Sequence, residues 1–169
     1  MLILETQRLS LREFEPADVD ALAPILSDPE TMRYYPAPVD YRGVVDWIDR
    51  NRTRYEKDGF GLWAMVLKSS GCLIGDCGLL RQSVDGVDEI EIGYHVRCDL
   101  WGRGFAPEAA GACRDYGFDH LGADRLISLI RPENVPSRRV AEKTGMTVWK
   151  EVMWREIPHC VYCIRRAGL

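Results

Sequence analysis

Long apolar runs are missing from this chain. The longest, Leu62–Leu67, falls far short of the ~20 residues a membrane-spanning helix needs, so no membrane role is expected. The opening residues Met1-Leu2-Ile3-Leu4-Glu5 have neither a basic n-region nor an adequate apolar h-region, which predicts no signal peptide and a cytoplasmic protein. Dense basic runs are missing too: beyond the short pairs Arg138-Arg139 and Arg165-Arg166, no Lys/Arg stretch offers duplex nucleic acid a face. The formal net charge is −4, and a mildly acidic surface attracts cationic partners such as amines. Histidines number three, His95, His120 and His159, and no spacing joins them into a metal site, so each is expected in a surface or core role. No internal repeat, low-complexity tract or linker divides the sequence.

What is present suits one domain over residues 1–169, with 46% hydrophobic residues to build a core without staples. Six cysteines invite a disulfide reading, but nothing in the sequence indicates an oxidising compartment, so reduced, structural thiols are expected. Cys160-Val-Tyr-Cys163 has the spacing of a metal or redox pair. It falls in an alternating, β-branched stretch, where positions three apart point to opposite faces, and no second pair completes four ligands.

Periodicity orders the elements. Arg8 to Arg12 alternates as a first strand, and Pro16 opens a helical stretch, Ala17 to Leu26, with Pro24 predicting a kink or two pieces. Asp28-Pro29-Glu30 reads as another helix start, 34–38 as a bounding loop, and Val44 to Tyr55 as a second amphipathic helix ending near Gly59. Leu62–Leu67, Leu73–Leu80 and Glu89–Val96 follow as strands, and their short, turn-bearing connections, Lys68–Gly71 and Gln82–Val87, argue for antiparallel hairpins. A helix at about Ala106–Leu121, a strand at Arg125–Ile130, a helix at Pro136–Thr144 and strands at Met146–Val152 and Val161–Arg165 complete the chain. The expected class is α+β, a mostly antiparallel sheet flanked by helices. Trp47, Trp63, Trp149 and Trp154 are expected as core or cleft lining.

The most informative segment is Trp101-Gly102-Arg103-Gly104-Phe105-Ala106-Pro107-Glu108, between a strand and a helix. Its glycines let backbone approach a ligand closely, and Pro107 suits a first helical turn. Several unpaired N–H groups would converge at the helix N-terminus, where the macrodipole also favours an anion such as a pyrophosphate. Arg103 would add a charge-assisted contact. A glycine turn before a helix needs no ligand, and that reading stays open on the dipeptide alone. A Rossmann fingerprint is excluded because Pro107 stands where its third Gly or Ala belongs; a P-loop is excluded because Gly-Lys-Ser/Thr is absent.

With Glu5-Thr6-Gln7-Arg8-Leu9-Ser10-Leu11-Arg12, Ser27-Asp28-Pro29, Glu91-Ile92-Gly93-Tyr94, Asn134-x-x-Ser137 and Glu142-Lys143-Thr144-Gly145-Met146 in order, the chain resembles the GNAT acetyltransferase superfamily, in the branch of the ribosomal-protein N-terminal acetyltransferases RimJ and RimL. Trp101 stands where the pyrophosphate motif commonly has Gln or Arg. The resemblance implies a GNAT fold, its sheet splayed between the fourth and fifth strands, here Glu89–Val96 and Arg125–Ile130. It implies acetyl-CoA in the cleft, with pyrophosphate on Trp101, Gly102, Arg103, Gly104, Phe105 and Ala106, and pantetheine along Tyr94, His95 and Val96.

It further implies Glu91 as general base, with Glu89 on the same strand face, and a backbone N–H near His95 or Val96 for the oxyanion. The family's usual acid, a tyrosine seven residues after the asparagine, is replaced by Ala141, leaving Ser137 nearest. Tyr34 and Tyr35 are implied as acceptor-pocket wall. Two plainer readings stand beside these. Glu89 and Glu91 fit the solvated face of a half-buried strand, and Asn134 fits an N-cap reaching the Ser137 N–H. The expected activity is direct acetyl transfer to a primary amine, either a protein N-terminus or a small molecule. The alternatives are a non-catalytic acyl-CoA-binding module and a zinc or redox protein using Cys160 and Cys163. A homodimer is admitted by analogy alone.

Overall fold

The computed structural model describes residues 1–166. Two short antiparallel strands open the chain, β1 (Leu2–Glu5) and β2 (Leu9–Arg12). Only β2 was expected; the apolar run Leu2-Ile3-Leu4 lacks the alternation that marks a strand. A 3₁₀ turn (Pro16–Asp18) leads into α1 (Val19–Leu26). The two expected pieces exist, but they divide at Asp18 rather than Pro24. The Asp18 carboxylate accepts the Glu15 N–H and a bidentate pair from Arg12, both oxygens at 2.7 Å. Pro24 sits in the last turn of α1, where it removes little hydrogen bonding.

The helix expected from Asp28 is only a turn. Asp28 takes the Thr31 N–H at 2.9 Å and its hydroxyl at 2.7 Å, as an N-cap would, but Pro36 and Pro38 stop any helix from continuing. α2 (Tyr41–Asp58) starts on the cap of Asp40, which accepts the Gly43 N–H, and ends at Gly59.

β3 (Leu62–Leu67), β4 (Leu73–Val84) and β5 (Val87–Val96) are joined as hairpins. The expected loop over Gln82–Val87 shrinks to Asp85-Gly86, both at positive φ, the two-residue turn that matches strand twist. After α3 (Phe105–Asp119), β6 (Arg125–Ile130) and α4 (Val135–Lys143), the chain closes with β7 (Thr147–Trp154) and β8 (Ile157–Arg165). These last strands outrun the expected ones because Arg155-Glu156 turns at positive φ without a glycine to signal it.

The sheet order is β1-β2-β3-β4-β5-β6-β8-β7, antiparallel except for β5 and β6. The parallel pair registers only at Glu91 opposite Ile127. Beyond that point the sheet splays between the expected segments, now the fifth and sixth strands because β1 adds one. Two side chains patch the split: the Ser128 hydroxyl donates to the Ile92 carbonyl at 2.8 Å, and Glu91 accepts the Leu129 N–H at 3.3 Å. Each sheet face carries its own core. Ala109, Ala110 and Cys113 of α3 pack on Trp63, Met65, Cys77 and Ile92; Leu22, Ile25, Val44 and Ile48 of α1 and α2 pack on Leu62, Ala64 and Leu73.

All six cysteines are free. Cys77 and Cys113 meet at 3.5 Å between sulfurs inside the core, whereas Cys160 and Cys163 stand three positions apart on β8, which puts them on opposite faces. Among the described residues no helix is long and apolar enough to cross a membrane.

Candidate active site

The turn from β5 into α3 is held from behind. Arg8 donates from Nε to Glu108 at 2.6 Å and from Nη1 to the Arg103 carbonyl at 2.9 Å, and its guanidinium lies 4.4 Å from the Phe105 ring. Thr6 and the Arg8 backbone N–H also bind Glu108. Trp101 ties the other end, donating from its indole to the Val96 carbonyl at 2.7 Å. Gly104 is the N-cap of α3 at φ +82, a left-handed conformation that side chains resist, and no side chain caps the helix. Among the described residues, no protein group accepts from the backbone N–H groups of Gly102 through Ala106. These donors, at the positive end of a fifteen-residue helix, form an anion cradle.

The cradle opens on a cavity of ≈ 290 Å³ in the splay. Its floor is the β6-facing edge of β5. The Arg97 N–H bonds to Ile74 of β4, so odd-numbered residues pair with β4. By the same alternation, Tyr94 and Val96 turn their N–H groups to the open side. Of the two oxyanion donors expected, Val96 therefore qualifies, while the His95 N–H belongs to the β4 ladder. Facing this edge is the start of α4. Asn134 accepts the Ser137 N–H at 3.1 Å, so the capping reading is realised, and both residues also line the cavity. The Tyr94 phenol crosses the cleft to them, donating to the Ser137 carbonyl at 2.9 Å with the Ser137 hydroxyl at 3.0 Å. Burial pushes the phenol above its ordinary range, so it stays protonated.

The opposite face of β5 carries a second group. His95 points away from Tyr94, as expected from alternation, toward α2. Its Nδ1 lies 2.7 Å from Asp76, which is fully buried on β4 and also accepts the Trp47 indole N–H at 2.9 Å. Trp47 and Tyr35 flank the imidazole, ring centres 5.3 and 4.8 Å away. His95 Nε2 is buried with no hydrogen-bond partner. Farther along this face Glu91 keeps a sliver of accessible surface, yet protein surrounds its carboxyl on nearly every side. Burial raises it to about 7, against the opposing pull of hydrogen bonds from Gln82 and Leu129.

Most expected residues converge. Tyr34, Tyr35, Tyr94, His95 and Val96 line the cavity, as do Trp101, Gly102, Gly104, Phe105 and Ala106. Three do not. The Arg103 side chain is exposed and outside the lining; the residue offers the site its backbone N–H, while its carbonyl is taken by Arg8. Glu89 is buried in an ion pair with Arg125 on β6. Glu91 stands outside the lining, its carboxylate engaged at the splay. Trp47 was expected as core or cleft lining; Asp76, Arg139 and Lys143 were not expected at the site. The last two are one turn apart on α4, both line the cavity, and neither has an ion-pair partner among the described residues. Their helical spacing was visible; their direction was not.

A family model described as an acetyltransferase (GNAT) domain matches residues 8–147. An uncharacterized protein of Bacillus subtilis, YkkB, is 38% identical over 160 residues, covering 94% of this chain and 93% of that protein. Among solved structures, an acetyltransferase from Agrobacterium tumefaciens superposes with a TM-score of 0.83 at 28% identity, over 96% of this chain and 94% of that one. RimL, a ribosomal L7/L12 alpha-N-protein acetyltransferase in complex with coenzyme A, gives 0.81 at 14% identity, with 98% of each chain covered. At that identity the likeness to RimL carries the fold and not the branch.

Proposed function

The chain belongs to the GNAT acetyltransferase family and is an acetyltransferase; within that family, we propose that it moves the acetyl group of acetyl-CoA to a primary amine by direct transfer in a ternary complex. One observation carries the reading: the unpaired N–H groups of residues 102–106 and the unpaired cations Arg139 and Lys143 face one cavity, beside the open edge of β5. This is a donor set for a pyrophosphate followed by an extended, amide-bearing arm, which pairs with a strand edge as an added strand would. Tyr94 and Val96 supply that edge, Asn134 and Ser137 the wall across it. The Val96 N–H is placed to hold the developing oxyanion, and Ser137, hydrogen-bonded to the Tyr94 phenol, to donate toward the leaving sulfur.

The amine enters from the α1/α2 face, past Tyr34 and Tyr35. Aromatic rings and the carboxylates Asp76 and Glu91 give that side the chemistry to receive a cation. Glu91, near 7, takes up the released proton at neutral pH. Acceptors of this class are protein N-terminal α-amines, as in the RimL-like branch, and small-molecule amines.

Calorimetric titration with acetyl-CoA tests the binding step, and thiol release over peptides with free N-termini and small amines tests the chemistry. The double variant Arg139→Ala/Lys143→Ala is expected to weaken acetyl-CoA at least about tenfold, the scale of losing charge-assisted contacts. No acetyl-CoA binding by the unaltered protein would overturn the proposal.

A further inference from the structure

The Asp76–His95 pair has no structural need that explains its arrangement. A fully buried carboxylate is costly to desolvate unless it is well paired, and here it holds an imidazole whose other nitrogen is left orphaned. A buried acceptor without a donor is a net cost to folding. With Nδ1–H donated to Asp76, the free lone pair lies on Nε2, across the ring from the carboxylate. Trp47 fixes Asp76 from the other side, so the carboxylate that orients His95 is itself held in place. His95 also lines the cavity, and its neighbour Val96 offers the N–H assigned to the oxyanion.

We propose that His95 is the general base that takes the proton from the acceptor ammonium, with Asp76 as its positioning residue. This rests on the acetyl-transfer reading and goes beyond it, because Glu91 lies four residues along β5, about 13 Å at ~3.3 Å per residue, too far to touch the same amine. Glu91 then receives the proton only after His95 has accepted it. In the step itself, the ammonium N–H breaks and the proton passes to Nε2. The freed lone pair forms the C–N bond, and the C–S bond breaks with its electrons on sulfur. The nitrogen sheds its second proton as the amide forms, sulfur takes up one, and the net proton leaves through His95. Facing His95 are Asp76 from β4 and Tyr35 from the segment before α2, with Glu91 farther along the same face of β5 and Arg50 behind Trp47, 5.9 Å from its ring. The imidazolium is thus formed beside the Asp76 carboxylate.

His95→Gln is expected to lower kcat/KM for benzylamine at pH 7 at least about 100-fold, the usual contribution of a general base. For 4-methoxyaniline, neutral at that pH, the loss should shrink to below about tenfold. Acetyl-CoA affinity should stay within about threefold of the unaltered protein in every variant. Glu91→Gln should keep the acid limb of the pH–rate profile, while Asp76→Asn should lose about tenfold or more and move that limb. Nitrogen-15 NMR of the free protein supplies a readout independent of turnover: His95 should show a proton on Nδ1 and none on Nε2 above its titration. Full benzylamine activity in His95→Gln, an equal loss for both amines, or an Nε2–H tautomer would each overturn the assignment while leaving acetyl-CoA binding intact. Loss of acetyl-CoA binding in the unaltered protein would instead remove the reading beneath it.

Discussion

Replacing Glu91 by Gln should stabilise this protein, and only at high enough pH. The carboxyl stands at about 7 in the folded chain, raised by burial, against 4.5 for the ordinary side chain. Below the lower value both states are protonated and the residue is neutral. As pH rises from 4.5 toward 7 the unfolded chain ionises first, so stability falls; above 7 both are ionised and the full penalty persists. The gap of about 2.5 pH units, at about 1.4 kcal/mol each, amounts to about 3 kcal/mol. Gln keeps an oxygen for the Leu129 N–H, so the amide removes the penalty with little loss of bonding.

For a chain of this length, each kcal/mol moves Tm by roughly 2–4 °C, which sets a ceiling of roughly 6–12 °C at pH 8.5. Thermal unfolding of both proteins from pH 4.5 to 9 measures this directly. The curves should coincide at the acid end and separate through neutrality. A constant offset at every pH, or a variant less stable at pH 8.5, would refute the claim that the site carries a buried charge at a cost to folding.

Three further outcomes follow from the same geometry. Ser128→Ala leaves the Ile92 carbonyl without its donor inside the split and should cost about 1–3 kcal/mol, read by denaturant unfolding. Gly104→Ala forces a side chain into φ +82, with its Cβ 3.3 Å from the Arg8 guanidinium; a cost of about 1–2 kcal/mol and a drop in acetyl-CoA affinity of at least about tenfold are expected by calorimetry. Asn134→Ala removes the α4 cap and should lower stability by about 1 kcal/mol, seen as a lower thermal midpoint without ligand.

Much of this molecule was legible in its sequence because the signals are local. Period-two stretches marked β2 to β6, turn residues bounded the helices, and the glycines with Pro107 marked the anion cradle before α3. The hairpin turn within Gln82–Val87 was expected and only its tightness at Asp85-Gly86 was not, whereas Arg155-Glu156 carries no residue type that announces a positive φ. β1 escaped because three consecutive apolar residues lack a period.

The site divides along the same line. Sequence alone determined which backbone would leave its N–H groups unpaired at a helix start, since glycine conformation and a helix start are properties of neighbouring residues. Tertiary structure decided what each side chain does there. It paired Glu89 with Arg125, turned Glu91 to mending the split, set Arg139 and Lys143 on the cavity wall, and brought Asp76 to His95 from 19 residues away. Those assignments depend on strand register and on the divergence of β5 from β6, and both arise from long-range packing that no short window of the chain contains.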